Sequence, residues 1–220
     1  MTLSILFVLT ACLDTDKPTT ALELAKNSII VDGHIDVPYR VLREWEDVTK
    51  ATKGGDFDYP RAIKGGLNAP FMSIYTPASL AAEGKSKERA DELITLVEKI
   101  VSLAPDKYAI ATSPSQIREQ FKQGLISLPL GMENGSPIEG KIENLAYFFN
   151  KGIRYITLAH SLSNQISDSS YDSNKAHDGL SGFGEEVVRE MNRLGIIIDI
   201  SHVSDAAFWD VMDITKVPVI

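Results

Sequence analysis

Short apolar, β-branched runs alternate along this chain with longer stretches in which apolar residues recur at helical spacing. The first run covers residues 28–36, where Ile29, Ile30 and Val31 lead to His34 and Asp36. Side chains of a strand alternate between faces, so a strand here points His34 and Asp36 to one side and Ile35 to the other. The pattern predicts a buried strand with polar chemistry at its tip. Further strands are predicted over residues 67–75, 108–111, 125–133, 155–160 and 196–202, with another beginning at 217–220. Helices are predicted over 21–27, 79–103, 113–124, 142–150, 184–194 and 205–214; in the second of these Leu93, Leu96, Val97 and Ile100 fall on one face. Residues 40–66, mostly polar and broken by Gly54, Gly55, Pro60, Gly65 and Gly66, read as a long loop over the end of the first strand.

Strand and helix alternating at this period mean a parallel sheet with helical crossovers, an α/β fold. The ionisable residues that stand out all follow strand-like runs: His34 and Asp36, Glu133, His160 and His202. In a (β/α)8 TIM-like barrel such positions ring one mouth, where barrel enzymes keep their chemistry. Only about five and a half strand units can be counted, too few to close eight. The expected fold is therefore an incomplete barrel over residues 21–220.

Imidazole and carboxylate together suit a borderline cation such as zinc. On its own, a histidine two residues from an aspartate reads equally well as a hydrogen-bonded pair. Gly131 and Gly135 flank Glu133 as if other groups must approach it closely. Asp199, mid-strand between Ile198 and Ile200, needs a buried partner and is expected to support a ligand histidine. His177 reads as ordinary surface, and Trp45 and Trp209 as packing.

The 220 residues are 44% hydrophobic, enough for a sizeable core, and the net charge of −8 with scattered cations argues against a nucleic-acid partner. The single cysteine, Cys12, excludes an intrachain disulfide. It follows an apolar run over residues 3–11 that is too short to span a bilayer, and Leu9, Thr10, Ala11 and Cys12 resemble a bacterial lipobox. No Lys or Arg precedes that run. Residues 1–20 are expected to be a lipoprotein signal peptide and tether. They place the protein outside the cytoplasm, on the periplasmic or cell-surface side of a bacterial membrane, attached by a lipid on Cys12 only.

Four motifs in order resemble the membrane dipeptidase family of zinc peptidases. They are residues 31–36, residues 131–135, residues 154–161, and residues 179–184 running on to 199–204. The resemblance covers about residues 27–220. It implies a zinc-dependent dipeptidase with a dipeptide substrate, in which metal-activated water cuts the peptide bond. It also implies that His34 and Asp36 bind one zinc, that Glu133 bridges it to a second, and that His202 binds the second. His160 matches a substrate-binding histidine that is not a metal ligand. The family's further histidine on the second metal, and later arginine and aspartate contacts, have no counterpart here, so the second zinc lacks a ligand in this chain. Asn134 stands where many members have glycine. The chain reads as a C-terminally truncated dipeptidase, inactive by itself and prone to associate through its open edges, with a homodimer left open for the complete protein. Two other readings stand beside this one. An amidohydrolase-like enzyme acting on another small amide usually shows His-X-His, not His-X-Asp, after the first strand. A catalytically inactive binding lipoprotein on the same scaffold would be expected to have lost some of the ligands.

Overall fold

The computed structural model describes residues 20–220, so Cys12 and the apolar run before it lie outside the described residues. Seven strands are described: β1 (Ile30–Ile35), β2 (Leu67–Tyr75), β3 (Tyr108–Ile110), β4 (Ile126–Leu128), β5 (Leu130–Glu133), β6 (Ile153–Thr157) and β7 (Ile197–Asp199). The main sheet has the order β1-β2-β5-β6-β7 with every pairing parallel, and β3 and β4 form a separate parallel pair. Helical crossovers curl the main sheet into a half-barrel on the plan of a TIM-like barrel, as the alternation predicts.

Period-two alternation sorts the strands into two faces. Met72, Ile74, Leu130, Met132, Ile156 and Ile198 point outward and are fully buried. Against them pack Leu93, Ile94, Val97 and Ile100 of the helix Ser86–Leu103, Leu145 and Phe148 of Glu143–Asn150, and Val187, Val188 and Met191 of Gly182–Leu194. The other parity, with Phe71, Ser73, Gly131, Glu133, Tyr155, Ile197 and Asp199, lines the concave side. At one end of that side an apolar groove of about 660 Å³ runs past Val31, Phe71, Pro129 and Ile197.

Three expectations need correction. β1 is not buried: among the described residues it pairs with β2 alone, none of its residues is buried, and Val31 is 52% exposed. Residues 125–133 are two strands, because Pro129 has no N–H to give a ladder. The chain changes partner there, from β3 to β2 and β6, while the Pro129 carbonyl accepts from Met72 N at 2.8 Å. Residues 40–66 are not one loop, since the helix Val37–Arg43 reaches into the segment and Tyr59–Gly65 closes it. Two of the apparent breakers sit at the ends of that helix: the Asp58 side chain caps it by accepting from Arg61 N, Pro60 sits in the first turn, and Gly66 ends it at φ +82°.

Elsewhere the pattern holds closely. The helices Ala21–Asn27 and Asp205–Ile214 and the strand β2 have the expected bounds. The expected helix over 79–103 is interrupted at Gly84, whose φ is +64°. Ile220 donates to Ile198 O at 3.0 Å and accepts from Ile200 N at 2.8 Å, so the chain's last residue lies along β7 as a beginning strand should. No helix among the described residues is long and apolar enough to cross a membrane.

Candidate metal centre

The carboxyl ends of β1 and β5 bring His34 and Glu133 together directly. Asp36 follows at the start of the helix Val37–Arg43. His34 Nε2 stands 3.5 Å from Asp36 Oδ1 and 3.4 Å from Glu133 Oε2. The other Glu133 oxygen, Oε1, is 3.4 Å from His160 Nε2 and 3.4 Å from His202 Nε2. Two three-residue groups thus share one nearly buried carboxylate: His34, Asp36 and Glu133 on one side, Glu133, His160 and His202 on the other.

The other two histidines, His160 and His202, reach their places differently. β6 and β7 stop at Thr157 and Asp199, three residues short of the expected ends at His160 and His202. Both histidines sit in irregular backbone, and His202 has φ +68°, an uncommon conformation for a residue with a side chain. The loop over residues 161–181 holds them there: the Ser169 hydroxyl donates to the His160 carbonyl and Ser170 N donates to the His202 carbonyl at 2.8 Å. That loop is built on Asp168, whose fully buried carboxylate accepts from Ala176 N at 2.7 Å and Gly179 N at 3.1 Å. Burial pushes its carboxyl up, but those amides together with His177 N outweigh it and leave the group below its ordinary range. His177 is more than surface, since its Nε2 meets Asn164 O at 2.8 Å inside the same loop.

Sequence reasoning missed the support these loops give. Asn134, beside the shared carboxylate, has φ +78°, the left-handed region that favours glycine and that asparagine tolerates. Its side chain donates to Thr76 O at 2.8 Å and accepts from the Ser136 hydroxyl at 2.8 Å, tying together the ends of β2 and β5. Asp199 does not support a histidine. Its carboxylate accepts from Thr157 Oγ1 and from Ser201 N at 2.9 Å, closing the ends of β6 and β7 on each other. The neighbouring hydroxyl was the partner that the sequence pattern could not place.

The electrostatics follow from this crowding. Asp36 and then Glu133 hold the His34 imidazolium, raising it to about 10 against the opposing effect of burial. His34 in turn lowers Asp36. His160 moves the other way, because burial outweighs the attraction of Glu133. Its Nδ1 is buried with no hydrogen-bond partner among the described residues.

The donor set fits a metal. Contacts of 3.4–3.5 Å are longer than the ~2.7–2.9 Å of charge-assisted hydrogen bonds. They match the spacing of ligand atoms around a tetrahedral ion with bonds of ~2.0–2.1 Å, which is ~3.3–3.4 Å along an edge. Imidazole nitrogen with carboxylate oxygen is the donor chemistry of zinc.

A parallel α/β half-barrel with carboxylates and imidazoles gathered at the carboxyl ends of its strands has the architecture of a metallohydrolase. The sequence matches the family described as membrane dipeptidase (peptidase family M19) over residues 19–220, and the chain belongs to that family. Dipeptidase verJ of Clonostachys rogersoniana is 31% identical over 220 residues, which is 93% of this chain and 56% of that protein. Dipeptidase tcpJ of Claviceps purpurea (strain 20.1) is 32% identical over 202 residues, 86% of this chain and 48% of that protein. The chain thus spans about half the length of the curated relatives it matches. A metallopeptidase from Rhodobacter sphaeroides, solved with a phosphinate mimic of the dipeptide L-Ala-D-Ala, superposes with a TM-score of 0.77 at 23% identity. That match covers 87% of this chain and 63% of the solved one, and it carries the fold alone.

Proposed function

We propose that this chain carries most of the active site of a zinc-dependent dipeptidase, with His34 and Asp36 on one zinc, His202 on a second and Glu133 bridging the two. A co-catalytic pair supplies Lewis-acid polarisation and a water that is nucleophilic near neutral pH. The single observation that carries the reading is Glu133 itself, which offers one oxygen to each three-residue group.

The histidines divide by what their Nδ1 atoms find. His34 Nδ1 has the Tyr155 hydroxyl at 2.9 Å, so its proton can rest there and Nε2 is free as a ligand. His160 Nδ1 is buried without a partner among the described residues, so the ring keeps its proton on Nε2, facing the cleft. An N–H at that place is a donor rather than a ligand. Its role is to hold the substrate carbonyl and the negative charge that develops on it. Glu133 and Asp36 supply negative charge for the cations, and Ser73 Oγ, 3.5 Å from Glu133 Oε2, backs the bridging carboxylate.

The test is hydrolysis of L-Ala-D-Ala and other dipeptides by the protein carrying this chain, abolished by chelation and restored by zinc. His160→Ala is expected to cut turnover by about 10²–10³-fold with zinc content unchanged. Loss of a zinc from that variant would instead make His160 a ligand. Residues 1–20 are proposed as a signal and tether, with lipid on Cys12 holding the enzyme to the outer side of a membrane. Release of a Cys12→Ser variant from the membrane fraction is the expected outcome, and retention would contradict the anchor.

A further inference from the structure

β6 and β1 stand three strand spacings apart in the main sheet, ~14 Å if it were flat. Yet Tyr155 of β6 places its hydroxyl 2.9 Å from Nδ1 of His34 at the tip of β1. The curl of the sheet brings the two within reach, and a glycine clears the path. Gly131 of β5 is the registered partner of Tyr155. A Cβ on Gly131 would lie 2.0 Å from two ring carbons of Tyr155, so the ring crosses β5 through the space a side chain would fill. Beyond it the ring meets Phe71 of β2, centroid to centroid 5.3 Å, and it is 1% exposed. Glycine, aromatic wall and hydroxyl together leave the ring one orientation.

We propose that Tyr155 is the positioning residue of the first metal group: its hydroxyl accepts the Nδ1 proton of His34 and fixes the imidazole so that Nε2 faces Asp36 and Glu133, with Gly131 providing the passage. The proposal deepens the dipeptidase reading and rests on it for the identity of the metal. Ligand histidines commonly give their second N–H to a carboxylate, a carbonyl or water. Here the acceptor is a neutral phenol. It orients the ring without adding a further negative charge to a site that already holds Asp36 and Glu133. The assignment of the proton to Nδ1 follows from the other nitrogen. An imidazolium is protonated on both nitrogens, and a neutral ring that gives Nε2 to a metal beside Asp36 and Glu133 must carry its proton on Nδ1, so in both states Nδ1 donates to the Tyr155 hydroxyl.

Tyr155→Phe removes one oxygen and keeps the ring that packs, so the variant retains the fold. In the full chain titrated with zinc alone, the first group is expected to lose about 10–100-fold in affinity while the group with His202 is unchanged. In the metal-free protein at about pH 5, below the ordinary imidazole value of 6.5, the hydrogen-bonded Nδ1–H proton of His34, identified by NMR against His34→Gln, is expected in the wild type and absent from the variant. A role confined to packing would move neither readout. Unchanged zinc affinity in the first group, or an Nδ1–H signal that persists in the variant, overturns the proposal. If the wild-type protein binds no zinc, the metal reading falls, and the Nδ1–H signal alone decides whether Tyr155 positions His34.

Discussion

The two groups that share Glu133 are built on different supports. His34 rides on the end of a strand, its amide held by Asp32 Oδ1 at 3.0 Å and its ring by Tyr155, and its carboxylate partner Asp36 is two residues away. His160 and His202 come from irregular backbone beyond β6 and β7, and they face each other with ring centroids 4.5 Å apart. The loop serines that fix their carbonyls leave their rings to be set by neighbours such as Tyr75, 4.9 Å from His160, and Tyr171, 5.7 Å from His202. One group thus has two carboxylates and a directed imidazole, while the other has one carboxylate and two imidazoles. Their chemistry should separate along that line: tight, preset cation binding in the first, and looser binding with room for substrate in the second.

The largest effect is expected where the comparison has no sides. Glu133→Gln keeps the shape of the shared group but removes its charge, so both groups should lose zinc and activity should fall by more than ~100-fold, beyond the cost of losing an outer partner. Zinc analysis and dipeptide hydrolysis on the same sample check this. Next come the single-sided changes. Asp36→Asn should empty the first group and His202→Gln the second. In the unaltered protein the first zinc should bind about 10–100-fold more tightly than the second. Two equal affinities by titration would erase the distinction between the groups.

The same contrast explains what could be read from the sequence. Residues that end regular strands announce themselves through apolar runs, and His34 and Glu133 were legible for that reason. The same rule picked out His160 and His202 although their strands stop three residues earlier, because Leu158 and Ala159 before the one and Ile200 before the other carry the apolar run past the regular strand into the core. The long polar segment after β1 hid two helices, since Asp58, Pro60 and Gly66 serve equally as loop residues and as caps. What no pattern could supply were contacts between distant segments. Tyr155 on His34 spans 121 positions, and Gly131, read from the sequence as a place of close approach, does not say what approaches until the Tyr155 ring is seen above it.

A smaller effect separates two glycines of the concave face. Gly131→Ala forces a methyl group against the Tyr155 ring and its backbone is fixed in the middle of the sheet, so a loss of about 1–3 kcal/mol is expected. Gly33 has nothing within 4 Å of the corresponding position and lies on the edge strand, so Gly33→Ala should stay within about 0.5 kcal/mol. Denaturant midpoints for the pair, measured without metal, are the check. Equal losses would mean that the Tyr155 ring moves aside freely.

The smallest effect is a slope with pH, confined to the first group and to the metal-free protein. His34 is raised from 6.5 to about 10 in the fold by Asp36 and Glu133. A raised imidazole stabilises the fold fully below its unfolded value, and that contribution is lost as the pH climbs through the folded one. The stability due to His34 is therefore complete below pH 6.5 and declines toward pH 10. With its side chain 34% exposed, solvent screening keeps the contribution modest. His34→Gln removes it, so the difference in denaturant midpoint between the wild type and this variant should shrink between pH 7 and pH 9.5 in the presence of a chelator. Zinc reverses the sign, because a ligand imidazole must first give up its Nε2 proton; its affinity in the first group should rise over the same window, with proton release on binding. A midpoint difference that stays constant with pH would show that the two carboxylates do not hold His34 as an imidazolium, and that the first group is no more preset than the second.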